Sequence, residues 1–236
     1  DPNGDFVTNI TNWFKGGASL AILNLAFDTN TTSGQNVKDY SGNTGNGTPR
    51  NITWTSNGLT GGAYRFRRNA TSLNASVTFS QTNDLNLNYS YAIEVWINTT
   101  GLPQSSRQAI IIGKRSPTGG NGWKLGIENG GGIFLFTQRR GGVDYTLEQP
   151  LTVNFEFNKW DHIVIVFDGV FVTMWINGTV FAQTPMSGNL TGTDINNLNI
   201  TIGDYESGNQ IVETVFDGII DTVRIYNHTL SPEQIK

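Results

Sequence analysis

The sequence is poor in several residues on which protein chemistry most often depends. It has 236 residues, no cysteine, two histidines (His162 and His228) and a charged fraction of only 14%. The lack of cysteine excludes a disulfide framework, a thiolate zinc site and a cysteine nucleophile. Two histidines are too few for most metal sites built from imidazole. With a net charge of -4, the chain makes no basic field that would attract nucleic acid.

Long apolar runs are also missing. No stretch of about 18 apolar residues occurs, so no insertion into a membrane is predicted. The chain begins at Asp1 rather than at methionine, which indicates a processed N-terminus or a trimmed chain from which any signal peptide has gone. The expectation that this protein is exported, and lies outside the cell or at its surface, rests instead on its N-glycosylation signals.

Asparagine, threonine and glycine are abundant in this chain, which has few charged residues. The chain has 27 Asn, 28 Thr and 28 Gly, together about 35% of its residues. These residue types favour strands, turns and loops and disfavour the interior of helices. The composition therefore predicts little helix.

Short strand signals follow one another along the chain, separated by clusters of Gly, Asn, Asp and Ser. Residues 91–97 alternate between apolar and polar side chains, as expected for a half-buried strand. Residues 160–183 predict a three-stranded meander, because Asp168-Gly169 and Asn177-Gly178 supply the positive φ angles of tight hairpins. About twelve strands in one unbroken series predict a single all-β domain of two packed antiparallel sheets.

Residues 1–19 differ from the rest of the chain. Phe6, Ile10, Trp13 and Phe14 fall at helical spacing, with Asp5 as a candidate N-cap and Gly16 as a candidate C′ residue, but Phe6, Ile10 and Phe14 also share one face of a strand. Both alternatives stay open. In either form the segment carries large apolar groups that need a surface to cover them. We expect an N-terminal extension at residues 1–19 and a domain at residues 20–236.

Acceptor sequences for N-glycosylation are more frequent than the composition explains. Twelve N-x-[ST] sequons occur, against about 5 expected by chance from 27 Asn and 42 Ser plus Thr. Each marks a surface position that can carry a glycan on an exported protein. The predicted glycosylation sites are Asn9, Asn30, Asn46, Asn51, Asn69, Asn74, Asn88, Asn98, Asn177, Asn189, Asn199 and Asn227.

Three longer pieces of sequence resemble a known family. They are Leu-Asn-Leu-Ala-Phe-Asp at 23–28, Lys-Trp-Asp-His-Ile-Val-Ile-Val-Phe-Asp-Gly at 159–169, and the segment 216–235 with Ile-Ile-Asp-Thr-Val-Arg-Ile-Tyr. Their order resembles the laminin-G-like jelly roll of the concanavalin A-like superfamily over about residues 20–236. The resemblance implies an antiparallel jelly-roll sandwich, extracellular adhesion, and binding of carbohydrate or protein. The superfamily also contains glycoside hydrolases and lyases, so the fold alone does not assign a function.

The resemblance also implies a structural calcium ion (Ca²⁺). By position its ligands would be Asp28 at the end of the first strand, Asp39 with backbone oxygens near residues 43–46, and Asp221. Calcium prefers such carboxylate and carbonyl oxygens from converging loops. The alternative is that Asp28 and Asp39 are ordinary turn formers and that Asp221 pairs with Arg224 or a backbone amide. Outside this set, Asp217 is a weaker candidate.

An enzyme is the less favoured interpretation. A retaining glycosidase needs two carboxylates about 5–5.5 Å apart, which a strand can supply from one face. Glu94 is the only acidic residue on the predicted strand 91–97, and Glu156 has no acidic neighbour close in sequence. The resemblance gives His162 a packing and hydrogen-bonding role. No catalytic residue is predicted.

Sugar binding usually needs exposed aromatic rings and polar side chains near strand ends. Several such residues occur but do not define one set: Trp54, Arg139, Arg140, Tyr145 and Tyr205. The sequence thus favours a non-catalytic, glycosylated adhesion or binding module whose partner is carbohydrate or a surface protein. The alternative is a structural subunit that assembles with its own copies into a filament or surface layer, with residues 1–19 contacting the neighbour.

Overall fold

The structure is a computed structural model. It describes residues 12–30, 36–68, 75–103, 108–115, 120–128, 132–150, 155–190, 197–205 and 214–236. Within these ranges, strands dominate, and the helical structure consists of one turn of 3₁₀-helix at Asn83–Asn86 and a four-residue helix α1 at Pro232–Ile235. No helix among the described residues is long and apolar enough to cross a membrane.

The first sheet has eight strands. Their bounds are β3 Ala21–Leu25, β5 Thr53–Thr55, β6 Ala63–Phe66, β8 Tyr91–Gly101, β13 Trp160–Phe167, β14 Phe171–Ile176, β15 Thr179–Pro185 and β17 Asp217–Tyr226. The spatial order is β15-β14-β13-β8-β17-β6-β5, and β3 also pairs with β17. Because β3 pairs with the C-terminal half of β17 and β6 with its N-terminal half, the two share one edge of that strand.

The second sheet has seven strands. Their bounds are β4 Thr48–Arg50, β7 Ser76–Phe79, β9 Gln108–Arg115, β10 Gly122–Glu128, β11 Ile133–Arg140, β12 Val143–Pro150 and β16 Ile200–Ile202. The spatial order is β12-β11-β10-β9-β16-β7-β4. All pairings between these strands are antiparallel, so the structure confirms the predicted all-β, two-sheet antiparallel sandwich with little helix.

Alternation along each strand separates the core from the outer faces. On β8, Ile93, Val95 and Ile97 are fully buried between the sheets. Glu94 and Trp96 lie between them in sequence and therefore point to the outer face of the eight-stranded sheet. A second, smaller apolar cluster covers part of that outer face and includes Leu230 and Ile235 around α1.

The predicted meander is confirmed with its turns. Ile176 and Thr179 are joined by Asn177 and Gly178, whose φ angles are 51° and 76°, the left-handed values that an Asn-Gly turn supplies. At the other turn, the Asp168 carboxylate accepts the N–H groups of Val170 and Phe171 at 2.8 and 2.7 Å. Local turn chemistry therefore sets the register of β13, β14 and β15.

The described part of the N-terminal segment forms a small hairpin. Its strands are β1 Phe14–Lys15 and β2 Ala18–Ser19, so these residues take the strand alternative rather than the helix. Asn12 Nδ2 donates to the carbonyl of Tyr40 at 2.7 Å and ties the hairpin to the sandwich. Asp5, Phe6 and Ile10 lie outside the described residues.

Candidate functional site

A cleft of about 480 Å³ lies on the outer face of the eight-stranded sheet. We call it the aromatic cleft. The β1–β2 hairpin contributes Trp13 and Phe14, the sheet contributes Glu94, Arg224 and Tyr226, and the residues around α1 complete the wall. Strand pairing brings the sheet residues together, because Glu94 on β8 lies directly opposite Arg224 on β17.

Glu94 is the charged centre of the cleft floor. Its carboxylate accepts hydrogen bonds from His162 Nε2 at 3.2 Å, Tyr226 Oη at 3.1 Å and Arg224 Nη1 at 3.4 Å. Burial alone would raise the pKa of Glu94, but the bond from His162 and the charge of Arg224 outweigh it and hold the pKa below its ordinary value. The carboxylate is therefore ionised and fixed in position at neutral pH.

His162 is itself held from two sides. Its ring stacks on the indole of Trp96 with centroids 4.4 Å apart and planes 10° apart. Its backbone N–H donates to Asn177 Oδ1 at 2.9 Å. These contacts orient the imidazole toward Glu94, in agreement with the packing and hydrogen-bonding role expected for His162.

The walls of the cleft are aromatic and open to solvent. Trp13 is 70% exposed and Phe14 is 60% exposed. Exposed rings beside a fixed carboxylate and a guanidinium offer a stacking surface together with hydrogen-bond acceptors and donors. Glu94 is the only acidic side chain among the described residues that line the cleft, and Glu156, the other considered acid, pairs with Lys159 at 2.6 Å on an exposed part of the chain. The arrangement can bind a polyhydroxylated ligand.

Comparison with protein families decides the classification. A laminin G family profile, described as the concanavalin A-like lectin/glucanases superfamily, matches residues 69–236. The chain belongs to this superfamily. No curated protein matches the chain significantly.

Solved structures with this concanavalin A-like fold include binding domains. The binding domain of Paraclostridial Mosquitocidal Protein 1 has a TM-score of 0.66 at 20% identity, over 90% of this chain and 51% of that chain. Another is Domain 4 of AbnA, a GH43 extracellular arabinanase from Geobacillus stearothermophilus, in complex with arabinotriose. It has a TM-score of 0.62 at 20% identity, and the match covers 91% of this chain and 96% of that chain.

A third structure is the binding domain of botulinum neurotoxin DC in complex with SialylT, with a TM-score of 0.65 at 16% identity, over 92% of this chain and 49% of that chain. The chain thus spans about half the length of the toxin binding domains it matches. At these identities the likeness concerns the fold, and the same superfamily includes glycoside hydrolases.

Two of the three predicted calcium ligands of this concanavalin A-like domain lie at one loop. The Asp28 carboxylate accepts the N–H of Gly62 at 3.0 Å, and Asp221 accepts the N–H of Leu59 at 2.8 Å. Burial, with the nearby charge of Asp28 as a smaller cause, raises the pKa of Asp221 to about 6, while backbone N–H groups act against the rise. Asp28 and Asp221 are therefore neighbours.

Asp39 is engaged within its own loop instead. Its carboxylate accepts the N–H groups of Asn24, Ser41 and Thr44, at 3.0, 2.9 and 3.2 Å, and also the hydroxyl groups of Ser41 and Thr44. The described ranges contain no group of three or more His, Cys, Asp or Glu arranged to hold a metal. The calcium ion stays a prediction, and Asp28 with Asp221 is the part of the set that the fold brings together.

The residues considered for sugar stacking are scattered over the molecule. Arg140 is buried and donates to the carbonyls of Leu87, Asn88 and Gly188, so it clamps loops together rather than facing solvent. Trp54 donates to the carbonyl of Phe27 at 3.1 Å. The remaining three lie at or near the seven-stranded sheet and each contacts another side chain: Tyr145 with Ser187, Arg139 with Asp144, and Tyr205 with Lys124.

The residues of the aromatic cleft were largely missed by sequence reasoning. Glu94 and His162 were considered only for catalysis or packing. Arg224 and Tyr226 alternate along β17, but their approach to Glu94 follows from the pairing of two strands about 130 residues apart, which no local pattern reveals. Trp13 was noted among the large apolar residues of the N-terminal segment that need a surface to cover them, but no local pattern connects it with Glu94.

Nine of the twelve sequons fall on described residues. Six of these asparagines are exposed and three are half-buried, the latter being Asn88, Asn98 and Asn199. Asn177 differs from the others in its contacts, because Nδ2, the atom that would carry a glycan, donates to Asp161 Oδ1 at 2.9 Å. Asn9, Asn69 and Asn74 lie outside the described residues.

Proposed function

We propose that this chain is a non-catalytic carbohydrate-binding module of an exported, N-glycosylated protein that acts in adhesion or recognition at a cell surface. The observation that carries the proposal is the aromatic cleft, in which Trp13 and Phe14 stand exposed beside the fixed carboxylate of Glu94. A large concave site with a few convergent polar groups is the default binding site of an uncharacterised domain. Structures of similar fold in complex with arabinotriose and SialylT add support.

The test is a binding measurement on a panel of oligosaccharides that includes arabinotriose and a sialylated oligosaccharide. Trp13→Ala should weaken binding of the best ligand about fivefold, because an aromatic contact contributes roughly 1 kcal/mol. Tyr89→Ala is the matched control, since Tyr89 is 78% exposed and does not line the cleft. Equal binding by the wild type and Trp13→Ala would place the ligand elsewhere.

The same panel distinguishes binding from catalysis. A module without catalytic activity should release no product after prolonged incubation with any of the polysaccharides. Turnover that disappears in Glu94→Gln or Glu156→Gln would instead establish a glycoside hydrolase or lyase.

A second candidate is a self-assembling subunit of a filament or surface layer. Two described features favour it: the exposed apolar residues Trp13 and Phe14 at the open end of the β1–β2 hairpin, and the edge strand β15, whose seven residues include no charged side chain. Uncharged edge strands are the usual acceptors of a strand from another molecule. Deletion of residues 1–17 should then abolish polymers seen by electron microscopy while the domain stays folded, whereas a binding module should be monomeric in both forms.

Several of the exposed sequons should carry glycans in native material. The excess over chance and the exposed asparagines at 30, 46, 51, 189 and 227 support this. Intact-mass analysis should show heterogeneous additions of glycan mass, and a native protein at the bare polypeptide mass would contradict the proposal.

We also propose a structural Ca²⁺ held by Asp28 and Asp221. A cation there would relieve the repulsion between two neighbouring carboxylates next to the loop 58–62. Because a metal bound only by the folded state stabilises it by mass action, a strong chelator should lower the melting temperature. The decrease should be absent in Asp221→Asn, and an unchanged wild-type melting temperature would remove the calcium ion from the proposal.

A further inference from the structure

Three side chains from two adjacent strands meet on the outer face of the seven-stranded sheet. We call them the Lys–Gln–Glu triad: Lys124 and Glu128 on β10, and Gln108 on β9. Glu128 and Gln108 are directly opposite in the strand register, and Gln108 Nε2 donates to Glu128 Oε2 at 2.9 Å. Lys124 Nζ donates to the carbonyl oxygen Oε1 of the same Gln108 amide. One carboxamide thus lies between an amine and a carboxylate.

The amine of Lys124 lacks the partner that a buried ammonium normally has. The residue is only 9% exposed, and the described residues place no carboxylate within 4 Å of Nζ. Its hydrogen-bond acceptors are the Gln108 carbonyl and the hydroxyl of Tyr205, the latter at 3.1 Å. Both acceptors are neutral, so burial of the charge is poorly compensated.

Burial, followed by the charge of Arg115, lowers the pKa of Lys124 to about 8, against the opposing effect of Glu128 and other acids. A sizeable fraction of the amine is then neutral at mildly alkaline pH. A desolvated neutral lysine is a nucleophile, and here Nζ contacts the oxygen of an acyl group, the Gln108 carboxamide. If the triad served only to form hydrogen bonds on this face, a carboxylate in direct contact with Lys124 Nζ would stabilise the fold more than the neutral Gln108 amide does.

We propose that Lys124 and Gln108 form an intramolecular isopeptide bond, with Glu128 carrying the protons. This inference concerns a covalent modification and is independent of the proposed binding function. It rests on the juxtaposition of the Lys124 amine, the Gln108 carboxamide and the Glu128 carboxylate.

The reaction balances without any oxidant or co-reactant. Glu128, which hydrogen-bonds the Gln108 amide and lies more than 4 Å from Nζ, takes one proton from the Lys124 ammonium through solvent, and neutral Nζ attacks Cδ of Gln108 to form a new C–N bond. The tetrahedral species collapses, the bond from Cδ to Nε2 breaks, and the departing nitrogen receives the proton held by Glu128. Nζ loses a second proton through the same carboxylate. The products are a secondary amide and ammonium, and Glu128 ends ionised as it began.

Such a bond would stabilise the fold in the way that disulfides do in other exported proteins. It would join β9 to β10 and close a loop from residue 108 to residue 124, which restricts the unfolded chain. The sequence contains no cysteine, so disulfides are not available for this purpose.

The test is mass spectrometry of the full chain, produced in a host that does not attach N-glycans and incubated at about pH 9. The wild type should be lighter than its sequence by the mass of ammonia, about 17 Da. Peptide mapping should show no tryptic cleavage after Lys124 and a linked peptide pair containing Gln108 and Lys124. The mapping is essential, because succinimide formation at Asn-Gly pairs also releases ammonia.

Lys124→Arg and Glu128→Gln should both have the full sequence mass at these peptides, and their melting temperatures should be lower by roughly 5–10 °C. Lys159→Arg, a change at an exposed lysine with an acidic neighbour, is the matched control and should keep the cross-link. Separate, fully cleaved peptides in the incubated wild type would overturn the proposal. A cross-link that persists in Glu128→Gln would overturn the role of Glu128.

Discussion

The two outer faces of the sandwich hold their charged side chains in opposite ways. On the eight-stranded sheet, Glu94 accepts hydrogen bonds from Arg224, His162 and Tyr226, and its pKa is held below the ordinary value. On the seven-stranded sheet, the hydrogen-bond acceptors that the described residues offer to Lys124 are neutral, and its pKa falls to about 8. Glu94 is held ionised and in a fixed position, where it can contact a ligand. Lys124, whose described acceptors are neutral, shifts toward its neutral and reactive form.

The largest effect that would test this contrast is the loss of the Glu94 carboxylate. Glu94→Ala should lower the free energy of unfolding by about 3 kcal/mol, because it leaves the largely buried Arg224 guanidinium without its counter-charge. Chemical denaturation of the wild type and the variant measures this difference.

The matched change on the other sheet is Glu148→Ala on the exposed strand β12. Glu148 lies on an exposed position, so the change should stay within about 0.5 kcal/mol. If Glu94→Ala lowers the free energy of unfolding by less than about 1 kcal/mol, the contacts of Glu94 contribute no more than an ordinary surface ion pair does.

The second test varies the pH, because each sheet has a buried acidic residue and the pKa values of these two residues are shifted in opposite directions. Asp204, which follows β16 and precedes Tyr205, is 2% exposed, and burial raises its pKa from 3.8 to about 6 although Thr214, the Tyr205 N–H and Arg50 favour its charge. The folded state holds this proton more tightly than the unfolded chain does. Stability from Asp204 is therefore complete at low pH and is lost as pH rises from about 4 to 6, by at most about 3 kcal/mol.

Glu94 behaves in the reverse manner, since its lowered pKa stabilises the fold above the pKa of the unfolded chain and this contribution disappears on acidification. Asp204→Asn keeps an acceptor for Thr214 and removes the charge. Its unfolding free energy relative to the wild type should grow between pH 4 and 6.5. A constant difference over that range would mean that Asp204 titrates as an exposed acid.

Local patterns predicted most of the fold because the core strands alternate strongly. The strand predicted at 91–97 lies within β8, and the meander predicted at 160–183 coincides with β13, β14 and most of β15. Strand β12 was missed because it is an edge strand on which Leu147 is the one fully buried residue, too little to mark a buried face in the sequence. Strands β4 and β5 have three residues each, too few for any period to be seen.

The sites were less predictable, because each depends on register between distant segments. Asp28 and Asp221 do approach one loop, but the Asp39 carboxylate accepts hydrogen bonds from the hydroxyl groups of Ser41 and Thr44. Because these two residues are close to Asp39 in sequence, this turn could have been predicted. For Gln108 and Glu128 the information lies in the pairing of β9 with β10. A bulge between Leu125 and Gly126 shifts that pairing, and nothing in the sequence predicts its place.

The smallest effect concerns Asn177, where a glycosylation signal and the structure compete. Its side chain accepts the N–H of His162 and donates to Asp161, and its backbone has a φ of 51°. Although Asn177 is exposed, a glycan on Nδ2 would break the hydrogen bond that this atom donates to Asp161. We therefore expect peptide mapping of native material to find Asn177 bare, while Asn189, an exposed asparagine of the next loop, carries a glycan.

Replacing each of these two asparagines by alanine should have different effects on stability. Asn177→Ala should lower the free energy of unfolding by about 2 kcal/mol, through two lost hydrogen bonds and a left-handed residue that alanine disfavours. Asn189→Ala should change it by less than about 0.5 kcal/mol. Because Asn177 positions His162, the same variant should also weaken ligand binding in the aromatic cleft slightly. Full glycan occupancy at Asn177 in a folded protein would show that this turn opens before or during modification, and that the support of the cleft floor is less rigid than its contacts imply.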